Sequence, residues 1–158
     1  MLTHLDEEGR PRMVDVTGKE VTDRTAVAEG VLVTRRETLD VIRTGGGPKG
    51  DPTVTASLAG IQAAKRTSEL IPLCHPLALT SVEVDVSVDE ALPGLRVRST
   101  VRVAARTGVE MEALTATAMA LLTAYDMLKA VDRDMRIENV RLVRKTGGRS
   151  DLLDTERA

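Results

Sequence analysis

Between residues 82 and 103 the chain twice repeats the alternation of a half-buried β-strand. Val82, Val84, Val86 and Val88 alternate with Glu83, Asp85 and Ser87, and Leu95, Val97, Val101 and Val103 alternate with Arg96, Arg98 and Arg102. Successive strand side chains point to opposite faces, so one face is aliphatic and the other charged. Pro93-Gly94 supplies the turn between the two runs. The pattern predicts an antiparallel hairpin with one face buried, and the rest of the chain must cover that face.

The remaining segments read as the cover and as further strands. Residues 24–34 carry β-branched bulk at Val27, Val31 and Val33 and predict a strand. Residues 37–43 read as a short helix stopped by Gly45-Gly46-Gly47. Asp51-Pro52 has the form of an N-cap followed by proline at the first helical position. A helix is expected from Pro52 to about Leu70, with Val54, Leu58, Ile61 and Ala64 on an apolar stripe and Pro72 ending the segment. Lys65 falls in that stripe by angle and must snorkel or find a partner. The longest helix is expected over residues 110–132, with Leu114, Ala118, Leu121, Tyr125 and Leu128 facing the core. A last strand over residues 135–144 precedes a Gly147-Gly148 loop and a polar tail, residues 151–158, expected to be flexible.

The order strand, two helices, strand, strand, helix, strand suits an α+β sandwich of ferredoxin-like type. An antiparallel sheet then carries helices on one face, with residues 1–150 forming one domain. Unless the other face is polar, it must be buried against a second subunit.

Composition narrows the function. One Tyr, no Phe and no Trp leave an aliphatic core and no stacking platform for single-stranded nucleic acid. With 22 Lys and Arg against 24 Asp and Glu there is no bulk basic field for a polyanion, so any anion site must be local. The single cysteine, Cys74, excludes an intrachain disulfide and fits a reducing compartment. The first twelve residues carry Asp6, Glu7 and Glu8 and have no apolar stretch like that of a signal peptide. Nothing approaches the roughly 20 apolar residues that span a bilayer. A soluble cytoplasmic domain is expected.

Four segments carry polar chemistry. Gly45-Gly46-Gly47-Pro48-Lys49-Gly50-Asp51 puts a lysine on a glycine-rich loop beside a helix start, which suits phosphate. It is not a nucleotide-binding P-loop, since Gly50 rather than Ser or Thr follows Lys49 and a helix precedes it. From spacing alone, a plain interhelical connection with a solvated lysine is the better fit. Leu73-Cys74-His75-Pro76 is a loop stiffened by prolines, and adjacent Cys and His rarely form a nucleophilic pair. With His4, His75 and Cys74 as the only nitrogen or sulfur donors, a zinc-type site is poorly supported, while carboxylate-rich Mg²⁺ binding stays open. Thr107 and Glu110 match a capping box, yet the carboxylates of Glu110 and Glu112 can also bind guanine nitrogens or move protons. Asp126 and Lys129 share a helix face as a surface ion pair or as a proton-transfer pair.

Taken together and in order, these segments resemble the cyclic pyranopterin monophosphate synthase family. The resemblance runs through Leu2-Thr3-His4, Met13-Val14-Asp15-Val16, Lys49-Gly50-Asp51, the stretch from Ala59 to Thr67, and Leu70 to Leu77. It continues through Thr107 to Thr115, Tyr125-Asp126-Met127 and Lys129-Ala130, and it fades after Ser150. It implies a lyase of molybdenum-cofactor biosynthesis that rearranges a cyclised dihydroguanosine triphosphate into a pterin and expels pyrophosphate. By position it implies catalytic roles for Lys49, Asp126 and Lys129. Substrate contacts would come from Leu73, Cys74, His75, Glu110, Met111, Glu112 and Lys145, with Lys19 and Arg24 as further basic positions. It implies a homohexamer built as a trimer of dimers, and no resident cofactor beyond the open question of Mg²⁺. Glu112 and Asp126 are 14 positions apart on one expected helix, about 21 Å along its axis. A composite site is therefore expected, one subunit giving Lys49, His75 and Glu112 and its neighbour Asp126 and Lys129. The rival from another class is a non-catalytic oligomeric nucleotide-binding module; two lysines with an aspartate in one cleft would argue for catalysis. Another phosphate-handling lyase or isomerase on a different heterocycle is the second rival.

Overall fold

A computed structural model describes residues 4–148 and 150–153. Its elements run β1 (Thr22–Val33), α1 (Thr38–Arg43), α2 (Pro52–Ala64), α3 (Thr67–Leu70), β2 (Ser81–Asp89), β3 (Gly94–Ala105), α4 (Glu110–Leu128) and β4 (Arg136–Thr146). The four strands form one antiparallel sheet in the order β2-β3-β1-β4. That is the ferredoxin-like arrangement expected from the element order.

The hairpin pairs as its alternation requires, with Val82 opposite Val101, Val86 opposite Val97 and Val88 opposite Leu95. Its turn spans residues 90–93, with Pro93 its last residue and Gly94 already paired in β3; the Asp89 carboxylate closes it by accepting from the backbone N–H groups of Ala91 and Leu92, both at 3.0 Å. The covered face contributes Leu95 and Val97 to a core completed by Leu32 of β1 and by Ala116, Ala120, Leu121 and Leu128 of α4, and Val101 and Val103 to a second cluster with Ala26, Ala28, Val109 and Ala113.

The opposite sheet face is polar. Glu29 accepts from Arg98 at 3.3 Å and from Arg141 at 2.6 Å, neighbours across the ladders. The condition that would have forced this face against another subunit is therefore not met.

The helices depart from expectation in which face they bury. Asp51 caps α2 as expected, accepting from Thr53 N at 2.8 Å and Val54 N at 3.3 Å, with Pro52 next in line. But α2 buries Pro52, Ala56, Gly60, Ala63 and Ala64, while Val54 and Leu58 are 65% and 56% exposed. The cause is close helix approach: a methyl added at Gly60 would stand 2.9 Å from the Ala116 carbonyl oxygen of α4. Only small residues fit such a seam, so the bulkier stripe turns outward. On α4 the same seam buries Ala113, Ala116, Ala120 and Ala124; Leu121 and Leu128 are buried as expected, but Ala118 is exposed and Leu114 and Tyr125 only half-buried.

Two helix ends also move. α2 stops at Ala64 because Arg66, at φ −114° and ψ 12°, leaves the helical conformation; the Thr67 hydroxyl takes up the Ala63 and Ala64 carbonyls at 3.3 and 3.0 Å, and α3 follows as a separate turn. Lys65, at the C-cap, is exposed. α4 ends at Leu128, and the chain beyond it is anchored by Asp132, whose carboxylate is fully buried. It accepts from Arg35 N at 2.8 Å, Thr38 Oγ1 at 2.9 Å and Asp134 N at 3.1 Å. Burial by itself would raise its pKa, but the hydrogen bonds from Arg35, Asp134 and Thr38 outweigh that and hold the carboxyl below its ordinary value.

The start of the expected flexible tail is pinned: Leu152 pairs with Lys145 through two backbone hydrogen bonds of 2.8 and 2.9 Å. Residues 154–158 of that tail, and Leu2-Thr3 of the N-terminal motif, lie outside the described residues.

Candidate active site

Two groups of polar residues sit at opposite ends of α4. At its start, two adjoining cavities share Lys19, Thr107, Gly108 and Glu110 along their walls. The smaller, about 210 Å³, adds Arg24, Arg106 and Lys145. The larger, about 270 Å³, adds Leu73, Cys74, His75, Met111 and Glu112, with His4, Val14 and Val16 from the N-terminal segment. All nine residues expected to contact substrate thus line one continuous depression.

The smaller cavity is built for an anion. Lys19, Arg24, Arg106 and Lys145 line it against Glu110 as its one carboxylate. Backbone carbonyls aim the guanidiniums: Arg24 donates to Ala105 O at 3.0 Å and Arg106 O at 3.3 Å, and Arg106 donates to Lys19 O at 2.9 Å. The N-terminus of α4 opens beside them and adds its own partial positive charge. Lys145 lies 3.3 Å from the Glu110 carboxylate, a contact that a competing anion can displace.

The larger cavity holds groups that can carry protons. Glu112 is only 4% exposed; burial, and secondarily the charge of Glu110, push its pKa above the usual carboxylate range. Burial, then the nearby Glu112 charge, raises the Cys74 thiol, so Cys74 is a neutral wall residue rather than a thiolate nucleophile. His75, half-buried, engages the Val14 carbonyl through Nε2 at 2.7 Å.

At the far end of α4, Asp126 lies between two lysines. Lys129 Nζ is 2.7 Å from its Oδ1 and Lys49 Nζ 2.5 Å from its Oδ2. The hydrogen bonds from Lys129, then Lys49, lower the Asp126 pKa to about 2, and Asp126 in turn raises that of Lys129. This corrects the expected division of the site: Lys49 belongs with Asp126 and Lys129 in the same chain, not with His75 and Glu112. The glycine loop, closed by a Gly47–Gly50 backbone bridge, carries Lys49 across to α4.

A family model described as the MoaC family matches residues 13–148. The chain belongs to the MoaC family. Similar proteins include a cyclic pyranopterin monophosphate synthase of Methylobacterium nodulans, 60% identical over 99% of this chain and 98% of its own length. A protein of the same name from Methylobacterium sp. strain 4-46 is 61% identical over 94% of this chain and 93% of its own.

Three site features escaped the sequence. Arg106 drew no reading from the sequence, although an arginine beside Thr107-Gly108 at a helix start is a legible anion signal. Thr107 lines both cavities instead of capping α4, whose N-cap is Val109 and carries no side-chain cap bond. The Val14 carbonyl, being backbone, left no signal in residue type. Among the described residues no group of three or more His, Cys, Asp or Glu is placed to hold a metal ion.

Proposed function

We propose that this chain is a cyclic pyranopterin monophosphate synthase, a lyase of molybdenum-cofactor biosynthesis that converts the cyclised dihydroguanosine triphosphate into cyclic pyranopterin monophosphate and pyrophosphate. The observation that carries this beyond nucleotide binding is the Lys49–Asp126–Lys129 cluster, two lysines with an aspartate in hydrogen-bond contact. The three side chains are about half exposed, open to a substrate or a neighbouring subunit, and an enzyme that must move protons can use such a triad where a binding module would not need it.

The roles follow from the chemistry of each group. Lys19, Arg24, Arg106 and Lys145 bind the triphosphate and stabilise the departing pyrophosphate. Glu110 and Glu112 receive the guanine N–H groups, and Glu112, with its raised pKa, can also return a proton as the purine ring opens. His75, between Leu73-Cys74 and the cavity, serves the same proton traffic, with Met111 packing beside it. Lys49 and Lys129, oriented by Asp126, supply ammonium protons to the rearranging ring. Mg²⁺, where used, would enter with the triphosphate oxygens, which it prefers over an all-protein cage.

Glu112 and Asp126 are about 21 Å apart along α4, too far to act on one reacting ring within one chain. The working site is therefore composite, the start of one subunit's α4 facing the end of its neighbour's. Val54, Leu58 and Leu122, exposed on α2 and α4, supply apolar surface for association. The unit is a dimer within a hexamer, acting in the cytoplasm; among the described residues no helix is long and apolar enough to cross a membrane.

The test is to incubate the purified protein with the cyclised substrate and assay pyrophosphate and a fluorescent pterin derivative. Lys49→Ala, Asp126→Ala and Lys129→Ala should each abolish both signals while the circular dichroism spectrum is unchanged. Tight substrate binding with neither product would favour the non-catalytic module instead.

A further inference from the structure

The hydrogen bond between His75 and Val14 has consequences for which ring nitrogen works. A backbone carbonyl can only accept, so at 2.7 Å the Nε2 atom of His75 must bear the hydrogen. In a neutral ring the lone pair is then on Nδ1, and among the described residues Nδ1 has no protein partner.

The segment that provides the carbonyl does little else for the fold. Residues 4–12 close on themselves, with the Asp6 carboxylate accepting from Glu8 N and Arg10 N and with Arg12 N donating to His4 O at 2.9 Å. Residues 13–16 then run without helix or strand along the larger cavity, which Val14 and Val16 line. Among the described residues the buried core clusters begin at Ala26 and include nothing before it.

We infer that Val14 is a positioning residue: its carbonyl holds His75 as the Nε2–H tautomer, so that Nδ1 is the nitrogen that meets the substrate. This deepens the synthase reading and rests on it for the substrate. A substrate N–H or O–H gives its proton to Nδ1, the bonding pair stays on the substrate atom, and the ring becomes an imidazolium still tied to Val14. Returning that proton to a later substrate atom restores the starting tautomer. A fixed tautomer matters because a ring presenting N–H at Nδ1 could donate but not accept.

The experiment reads the tautomer directly. The chain has two histidines, His4 and His75, so protein labelled with ¹⁵N,¹³C-histidine gives two ring patterns, and His4→Gln assigns them. Solid-state spectra of the full-length protein without substrate should place a pyrrole-type resonance on Nε2 of His75 and a pyridine-type resonance on Nδ1. The reverse assignment overturns the inference. A chain beginning at residue 18 keeps the core and Lys19; it should show mixed His75 tautomers and a kcat lower by about ten- to a hundred-fold. An unchanged tautomer in that chain also overturns it. Finally, His75→Asn places an amide near the position of Nδ1 and His75→Gln near that of Nε2. Neither amide can take up a proton, so both should lose kcat, but only Asn still offers a hydrogen-bond acceptor to the substrate near Nδ1. Asn should therefore keep a KM several-fold lower than Gln, and an equal or inverted KM ranking refutes the role of Nδ1. Because the tautomer is measured without substrate, its outcome stands apart from that of the synthase reading.

Discussion

If the site is shared between subunits, two inactive variants should repair each other, and the structure says which pairs can. Take Glu112→Ala, which damages the start of α4, and Lys129→Ala, which damages the other end. Random 1:1 pairing makes half of the dimers mixed, and a two-fold dimer has two sites. In a mixed dimer one site collects both lesions and the other collects none. About a quarter of all sites are then intact, so the mixture should recover about 25% of wild-type kcat per chain. The control comes from the ion cluster: Lys49 and Lys129 hold the same aspartate in one chain, so Lys49→Ala with Lys129→Ala should recover nothing. Co-expression with two affinity tags isolates the mixed dimers, and pyrophosphate release is the assay. Two outcomes refute the reasoning: mixed Glu112/Lys129 dimers that stay inactive, or Lys49/Lys129 dimers that recover as much activity.

Asp132→Ala should lower stability by about 3–5 kcal/mol in urea unfolding, since it removes a fully buried carboxylate that pairs with the Arg35 guanidinium and accepts from Arg35 N, Asp134 N and the buried Thr38 hydroxyl; a loss below about 1 kcal/mol would show that water replaces the carboxylate. Glu112→Gln should stabilise the substrate-free protein near neutral pH. The folded-state pKa of Glu112 is raised, so stability present below its unfolded value of about 4.5 is lost as pH rises through the folded value. The gain in melting temperature should vanish in acid, and a gain independent of pH would exclude titration as its cause. Gly108→Ala should fold normally but lose roughly ten- to a hundred-fold in kcat/KM, because a methyl there overlaps the Glu110 carboxylate, which must swing away from Lys145; unchanged kinetics would mean that Glu110 is free to relocate.

What the sequence revealed depended on how local the cause was. The hairpin was legible because strand alternation is a property of neighbours, and the Asp51 cap because its acceptor and donors lie within three residues. The buried face of α2 was not. Hydrophobic bulk pointed to Val54 and Leu58, whereas the deciding fact was the nearness of α4 at Gly60, which favours small residues such as Ala56 and Ala63 beside it. Asp132 looked like the last residue of a helix, since its partners Arg35 and Thr38 lie more than ninety positions away. The site shows the same division. His75, Glu110 and Glu112 could be named from their segments and from the family resemblance. The attachment of Lys49 to Asp126, 77 positions apart, required the fold that folds the glycine loop over α4.

The small-residue seam that misled the reading of α2 would also let a site divided between subunits be accurate. Catalytic groups must be held to within a fraction of an ångström, and side chains on packed helices are held better than those on loops. α4 is fixed along its length by close backbone contact with α2 on one side and by β1, β3 and β4 on the other. Its two ends therefore keep a constant separation, and Glu112 and Asp126 ride on them as on the ends of a ruler. Such a ruler cannot bend to bring both groups to one substrate. It can, laid antiparallel against a second copy, bring a start to an end twice over. If the site is divided, the rigidity that would keep one chain from assembling it alone is what would align it between two.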